Sequence, residues 1–167
     1  QPDKYNLATP LDDKPLVLKG DQGSEWRPRN YDRKYRGQVP LLQALAHSYN
    51  IPTVNLGLAL GLDKVVSTFD DLGVNPDQIT RVPSLLLGAF TLTPMEVTQM
   101  FQTLGSGGRK AELTALRAVV TLEGQVLYRN WPKSSQTLPE QASWLTMYAM
   151  KHVVKEGTAR FLNTSLA

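Results

Sequence analysis

The stretch LLQALAHSYNIPTVNLGLALG, residues 41–61, holds two apolar helical patterns with a break, HSYNIP at 47–52, between them. In the first pattern Leu41, Leu42, Leu45 and Ala46 share one helical face, while Gln43 and His47 lie on the other. In the second, Pro52 suits a first turn whose N–H groups lack intrahelical acceptors, and Gly61 suits the position just past the helix end. The break sets Ser48 and Asn50 two residues apart. Asn is a preferred N-cap and Ser is common at helix ends, so spacing alone favours capping. A second reading stays open at this point: side chains at a helix break are freed from both helical faces and are available to a site.

Working outward, the helical signal persists over residues 39–110. LDKVVSTFDDLG places Asp63 as a cap, Val65, Val66, Phe69 and Leu72 as a buried stripe, and Gly73 as the stop. In TPMEVTQMFQTLG, Thr93 and Glu96 form a capping-box pattern, Pro94 takes the first helical position, and Val97, Met100, Phe101 and Leu104 repeat at helical spacing. Two β-rich runs flank Glu123-Gly124, which predicts a hairpin over 114–131. A long helix follows over 137–160, with Thr137 and Glu140 three apart as a cap, Leu145, Ala149 and Val153 on its apolar face, Trp144 and Tyr148 adjoining, and Gly157 as its stop. Residues 1–38 are loop-rich, with KPLVLKG (14–20) as a short strand and residues 21–37 as a long loop. The pattern is α+β, mainly helical, and no repeat of solenoid period is evident.

With 41% apolar and 20% charged residues among 167, the composition is that of a globular protein able to bury a core. A formal net charge of +3 is too weak a bias to imply nucleic acid unless it is concentrated. Zero cysteines exclude disulfides, thiolate metal sites and a cysteine nucleophile. No run reaches the roughly 18 apolar residues that a membrane span needs. The opening QPDKYN, without Met or a signal pattern, reads as the start of a piece of something longer.

Other chemistry-bearing residues are isolated or bland. His47 and His152 lack the convergent partners of a metal site, and no cofactor is expected. The doublets Asp12-Asp13 and Asp70-Asp71 read as solvated loop and helix-end charges. GSGGRK lacks the ending of a phosphate loop and does not open a helix after a strand. RPRNYDRKYR interleaves Arg27, Arg29, Arg33, Lys34 and Arg36 with Tyr31 and Tyr35, after Trp26. That combination suits single-stranded nucleic acid, or else a surface loop with aromatic anchors and solvated arginines.

An ordered series of motifs changes the weighting. Trp26, Pro28, Asn30, Tyr31, Asp32 and Gly37, then Ser48-Tyr49-Asn50 with Pro52 and Asn55, then Leu87-Gly88-Ala89 before Thr93-Pro94-Met95-Glu96, then Gly157-Thr158-Ala159 cover nearly the whole chain. In order and spacing the series resembles the transpeptidase domain of bifunctional class A penicillin-binding proteins, of the 1B type. The resemblance implies the helical half of a β-lactamase/transpeptidase-like fold, with the hairpin present and the central antiparallel sheet incomplete.

That family brings three motifs to one cleft: Ser-x-x-Lys, Ser-x-Asn and Lys-Thr/Ser-Gly. Ser48 and Asn50 match the second. No lysine here has a serine three positions before it and no Lys-Ser/Thr-Gly occurs, so the chain is expected to span between the other two motifs and to be inactive alone. The resemblance implies D,D-transpeptidation of peptidoglycan stem peptides through an acyl-serine, with acylation by β-lactams. It gives Ser48 proton relay to the leaving amine, and Asn50 the holding of the motif lysine and a substrate amide. It further implies a glycosyltransferase domain and a membrane anchor upstream, the periplasmic face of the inner membrane, an outer-membrane lipoprotein activator and other cell-wall synthesis proteins as partners. Nucleic acid drops out, and exposed apolar surface with self-association of the piece is expected. A non-catalytic helical interaction module and a serine β-lactamase are the alternatives.

Overall fold

Helices α1 (Leu41–Ala46) and α2 (Asn50–Leu60) are the centre of the architecture, and the rest of the chain is arranged around them. The structure is a computed structural model that describes residues 4–19 and 24–165. Gly20 of the predicted strand and residues 21–23 of the predicted loop lie outside the described residues.

The first 38 residues are more regular than their composition suggests. Strand β1 (Pro10–Asp13) pairs antiparallel with β4 (Gly37–Pro40), with Leu11 opposite Val39 and Asp13 opposite Gly37. Between them β2 (Leu18–Lys19) pairs with β3 (Glu25–Trp26). Two-residue alternation puts Leu11 and Asp13 on the inner face of β1, where both are buried. Leu11, Val39 and Ala44 form one core cluster, with Leu41, Tyr49 and Leu56 packed against it.

Helix α3 (Leu62–Leu72) and the 3-10 turns at Pro76–Gln78 and Pro83–Leu87 build a second cluster, Val66, Val74, Ile79 and Leu85, which Phe69, Phe90 and Met100 close over. Gly73 ends α3 in the left-handed region, φ 98°, as its sequence position predicts. Asp63 is not the cap: Gly61 occupies that position, and Asp63 in the first turn pairs instead with Arg81 Nε at 2.9 Å. On α2, Gly57 leaves room for Leu86, whose side chain fills the space a Cβ would need.

Helix α4 (Pro94–Gly105) carries the predicted capping box intact, with Glu96 N–H donating to the Thr93 hydroxyl and Thr93 N–H donating to the Glu96 carboxylate. Its inward face departs from expectation. Val97 and Phe101 are exposed, and the fully buried residue is Thr103, whose hydroxyl reaches the carbonyls of Leu72 (3.2 Å) and Gln99 (3.0 Å). Those bonds join α4 to the end of α3.

Strands β5 (Arg109–Ala111) and β8 (Ser134–Gln136) pair, and between them β6 (Ala118–Val120) and β7 (Val126–Arg129) form the predicted hairpin, with Gly124 at φ 84° in its turn. Helix α5 (Glu140–Lys155) then returns against α1, and α6 (Leu162–Ser165) follows. Thr137 does not cap α5. Pro139 stands at the cap position, and the Thr137 hydroxyl donates to the Asp71 carbonyl at 2.6 Å.

Among the described residues every ladder has two strands, and no larger sheet is present. An apolar groove of about 450 Å³ runs between α1 and α5, lined by Leu41, Leu45, Leu145 and Ala149 among others. Leu45, read as part of α1's buried face, is exposed at this groove.

Candidate active site

The break between α1 and α2 is a closed hydrogen-bonded turn. Tyr49 N–H donates to the Ala44 carbonyl at 2.9 Å and Ser48 N–H to the Leu45 carbonyl at 3.1 Å, the paired bonds of a Schellman ending. Such an ending needs a left-handed residue just past the helix, normally Gly. Here that residue is Ser48, at φ 55°. A side chain with a Cβ is disfavoured there by about 1–2 kcal/mol. Ser48 is exposed, and its hydroxyl has no protein partner among the described residues.

Asn50 is the first residue of α2, and its side chain makes no cap bond, so the capping reading is not what the structure holds. Its Nδ2 donates instead to the Arg29 carbonyl at 2.7 Å. That bond fixes the plane of the amide and leaves Oδ1 without a protein partner among the described residues. Two consecutive departures from the cheapest local choice therefore present a hydroxyl and an amide oxygen on one short turn.

The capping of α2 is done from a distance. Ile51 N–H, an orphan donor of the first turn, is accepted by Asn30 Oδ1 at 3.2 Å. Asn30 Nδ2 donates to Asp13 Oδ1 at 2.7 Å and to the Lys34 carbonyl at 2.8 Å, so this buried amide is fully engaged. Asp13 has 0% exposure, which corrects the reading of the Asp12-Asp13 doublet as solvated. A buried carboxylate requires partners, and its Oδ2 accepts the Arg36 backbone N–H at 3.1 Å and Nη1 at 3.5 Å. Period-two alternation from Leu11 along PLDD is the sequence signal for this burial.

Arg36 is likewise more than surface charge. It pairs with Asp32, whose carboxyl it holds below the usual carboxylate range, and its guanidinium lies 3.9 Å from the Tyr49 ring centroid. The same ring stacks with His47 at a centroid distance of 5.5 Å. Tyr31 in the same segment is fully exposed and serves none of these contacts.

The far end of α5 meets the same turn. Thr158 N–H donates to the Ala46 carbonyl at 3.1 Å, and a Cβ at Gly157 would collide with that carbonyl. Close approach, rather than a left-handed backbone, is what this glycine provides. His152 Nδ1 lies 2.6 Å from Glu156, and that hydrogen bond first, then the positive neighbours, holds the Glu156 carboxyl low. No cluster of His, Cys, Asp or Glu among the described residues is arranged to hold a metal.

The family described as penicillin binding protein transpeptidase domain matches residues 3–166. Penicillin-binding protein 1B of Vibrio cholerae is 60% identical over 166 residues, covering 99% of this chain and 21% of its own length. Its Escherichia coli counterpart is 49% identical over 164 residues, covering 97% and 19%. The chain thus spans about a fifth of the length of the curated relatives it matches. Penicillin-binding protein 1A from Haemophilus influenzae shares the fold at a TM-score of 0.90 and 19% identity, over 96% of this chain and 30% of that one. The imipenem acyl-enzyme of penicillin-binding protein A from M. tuberculosis does so at 0.76 and 16%, over 92% and 40%. The chain belongs to the transpeptidase domain family of penicillin-binding proteins, on the class A, 1B-like branch.

Proposed function

We propose that this chain supplies the Ser-x-Asn part of a D,D-transpeptidase active site that cross-links peptidoglycan stem peptides and is acylated by β-lactams, with Ser48 and Asn50 as its catalytic residues. The observation that carries the reading is Ser48 itself: an exposed hydroxyl held at a left-handed position where glycine is the low-energy choice.

The nucleophilic serine and its lysine belong to a Ser-x-x-Lys motif upstream in the parent protein, and a Lys-Thr/Ser-Gly strand downstream binds the substrate carboxylate. The serine oxygen attacks the carbonyl of the penultimate D-Ala, and its proton passes to the motif lysine. The C–N bond to the terminal D-Ala then breaks. Ser48 relays a proton to the departing amine, which leaves as free D-Ala, while the donor peptide remains as a serine ester. An acceptor amine attacks that ester, forms the cross-linking amide and regenerates the serine. Asn50, its amide plane fixed by the Arg29 carbonyl, directs Oδ1 to the lysine ammonium and its remaining N–H to a substrate amide.

A glycosyltransferase domain, a single-pass anchor, a periplasmic location and a lipoprotein activator complete the reading for the parent protein. Among the described residues no helix is long and apolar enough to cross a membrane. The test is labelling by a fluorescent penicillin. The full-length protein labels, the 167 residues alone do not, and Ser48→Ala and Asn50→Ala each slow labelling of the full-length protein by orders of magnitude with the fold retained. Covalent labelling of the 167 residues, or full-speed labelling of Ser48→Ala, refutes the assignment.

A further inference from the structure

We infer that Arg36 is a positioning residue for this reaction: its grip on the Tyr49 ring, with the hold of Asn30 on Ile51 N–H, keeps Ser48 and Asn50 aimed into the cleft. The inference rests on the assignment of Ser48 and Asn50 made above.

A residue with a Cβ does not stay in the left-handed region unless its neighbours impose it. The two Schellman bonds impose it from the α1 side. On the other side the restraints come from outside the turn: the ring of the residue after Ser48 contacts both Arg36 and His47, and the N–H of the residue after Asn50 is tied to Asn30. Both restraints trace back to the buried carboxylate of Asp13, all of whose hydrogen bonds go to Asn30 and Arg36. The flat guanidinium face matters as much as its charge. A lysine at 36 keeps a cation near Asp13 and Asp32 but offers no plane to the ring.

Displacing a reacting group by about 1 Å costs as much as about 100-fold in rate. Arg36→Lys in the full-length protein should therefore lower the acylation rate at saturating fluorescent penicillin by about tenfold or more. The dissociation constant of the initial penicillin complex should change by less than about twofold, and the melting temperature by only a few degrees. Tyr49→Leu, which removes the other half of the contact, should show the same pattern. The double variant should be no slower than the slower single one, since both remove one interaction. A purely structural role would lower the melting temperature and leave the saturating rate of the folded molecules intact. That outcome, or a change confined to the dissociation constant, or losses that multiply in the double variant, overturns the inference. Ser48→Ala run alongside separates the two levels. If it labels at full speed the functional assignment has failed; if it is slow while Arg36→Lys is fast, only the positioning role has.

Discussion

Replacing Ser48 by glycine should make the protein more stable and less active at once. The left-handed conformation at φ 55° costs a side chain about 1–2 kcal/mol, and glycine removes that cost. Against it stands the wider conformational freedom of glycine in the unfolded chain, about 0.5–1 kcal/mol. The Ser48 hydroxyl has no protein partner among the described residues, so its loss leaves no buried group unpaired. The midpoints of the two ranges leave a gain of about 0.8 kcal/mol for Ser48→Gly. Ser48→Ala, which keeps the Cβ, should be neutral within about 0.5 kcal/mol. In a domain of 150–250 residues such a gain raises the melting temperature by roughly 2–4 °C. Thermal unfolding of the full-length protein, followed through its transpeptidase transition, measures the first effect, and the penicillin acylation rate measures the second. If glycine is no more stable than alanine, Ser48 is not paying a backbone cost and the argument from its conformation collapses. If glycine is more stable and still acylates at the parental rate, the cost is real but serves something other than the reaction.

Gly157→Ala should lower stability by about 1–3 kcal/mol, because its Cβ meets the Ala46 backbone carbonyl, which cannot swing aside as a side-chain end could; a melting curve unchanged from the parent would show that the two helix ends are not in contact. Acid should destabilise the fold. Asp32, Glu96 and Glu156 are each held below the ordinary carboxylate range, chiefly by hydrogen bonds from Arg36, Gln78 and His152 respectively. A depressed carboxyl stabilises the fold fully above its unfolded value, and that contribution is lost as pH falls through the folded value. The melting temperature should stay level from pH 7 to about 5 and fall below about pH 4, and Glu96→Gln should shallow that fall; an acid limb equally steep in the variant would remove Glu96 from the account.

Elements whose signal is local were legible in the residues. Thr93 and Glu96 are three apart and bond reciprocally, and Gly73 and Gly124 stand where the chain turns left-handed. The misread elements are those whose partners lie far along the chain. Asp63 and Thr137 have the right chemistry for caps, but each finds a better partner across the fold, Arg81 for one and the Asp71 carbonyl for the other. Helical periodicity chose Val97 and Phe101 for burial on α4, yet the facing surface is the end of α3, whose free carbonyls call for the hydroxyl of Thr103 instead. Periodicity identifies an apolar face without saying which neighbour is present to cover it.

The same division explains the site. Ser48 and Asn50 sit where two patterns break, so the break was visible, but whether either residue spends its side chain on capping depends on what else reaches the first turn of α2. Asn30 reaches it across 21 positions, backed by a carboxylate that a doublet-level reading placed in solvent. Because a loop residue does the capping, Asn50 is released from it. Because Arg36 and the Gly157 approach brace the turn from two sides, a serine is tolerated where a glycine would be easier. Asn30, Arg36 and Gly157, far apart in sequence, are thus tied to one local fact, the backbone conformation of Ser48. Of these, Arg36 is the one whose conservative replacement should perturb the reaction through that turn before it perturbs the fold.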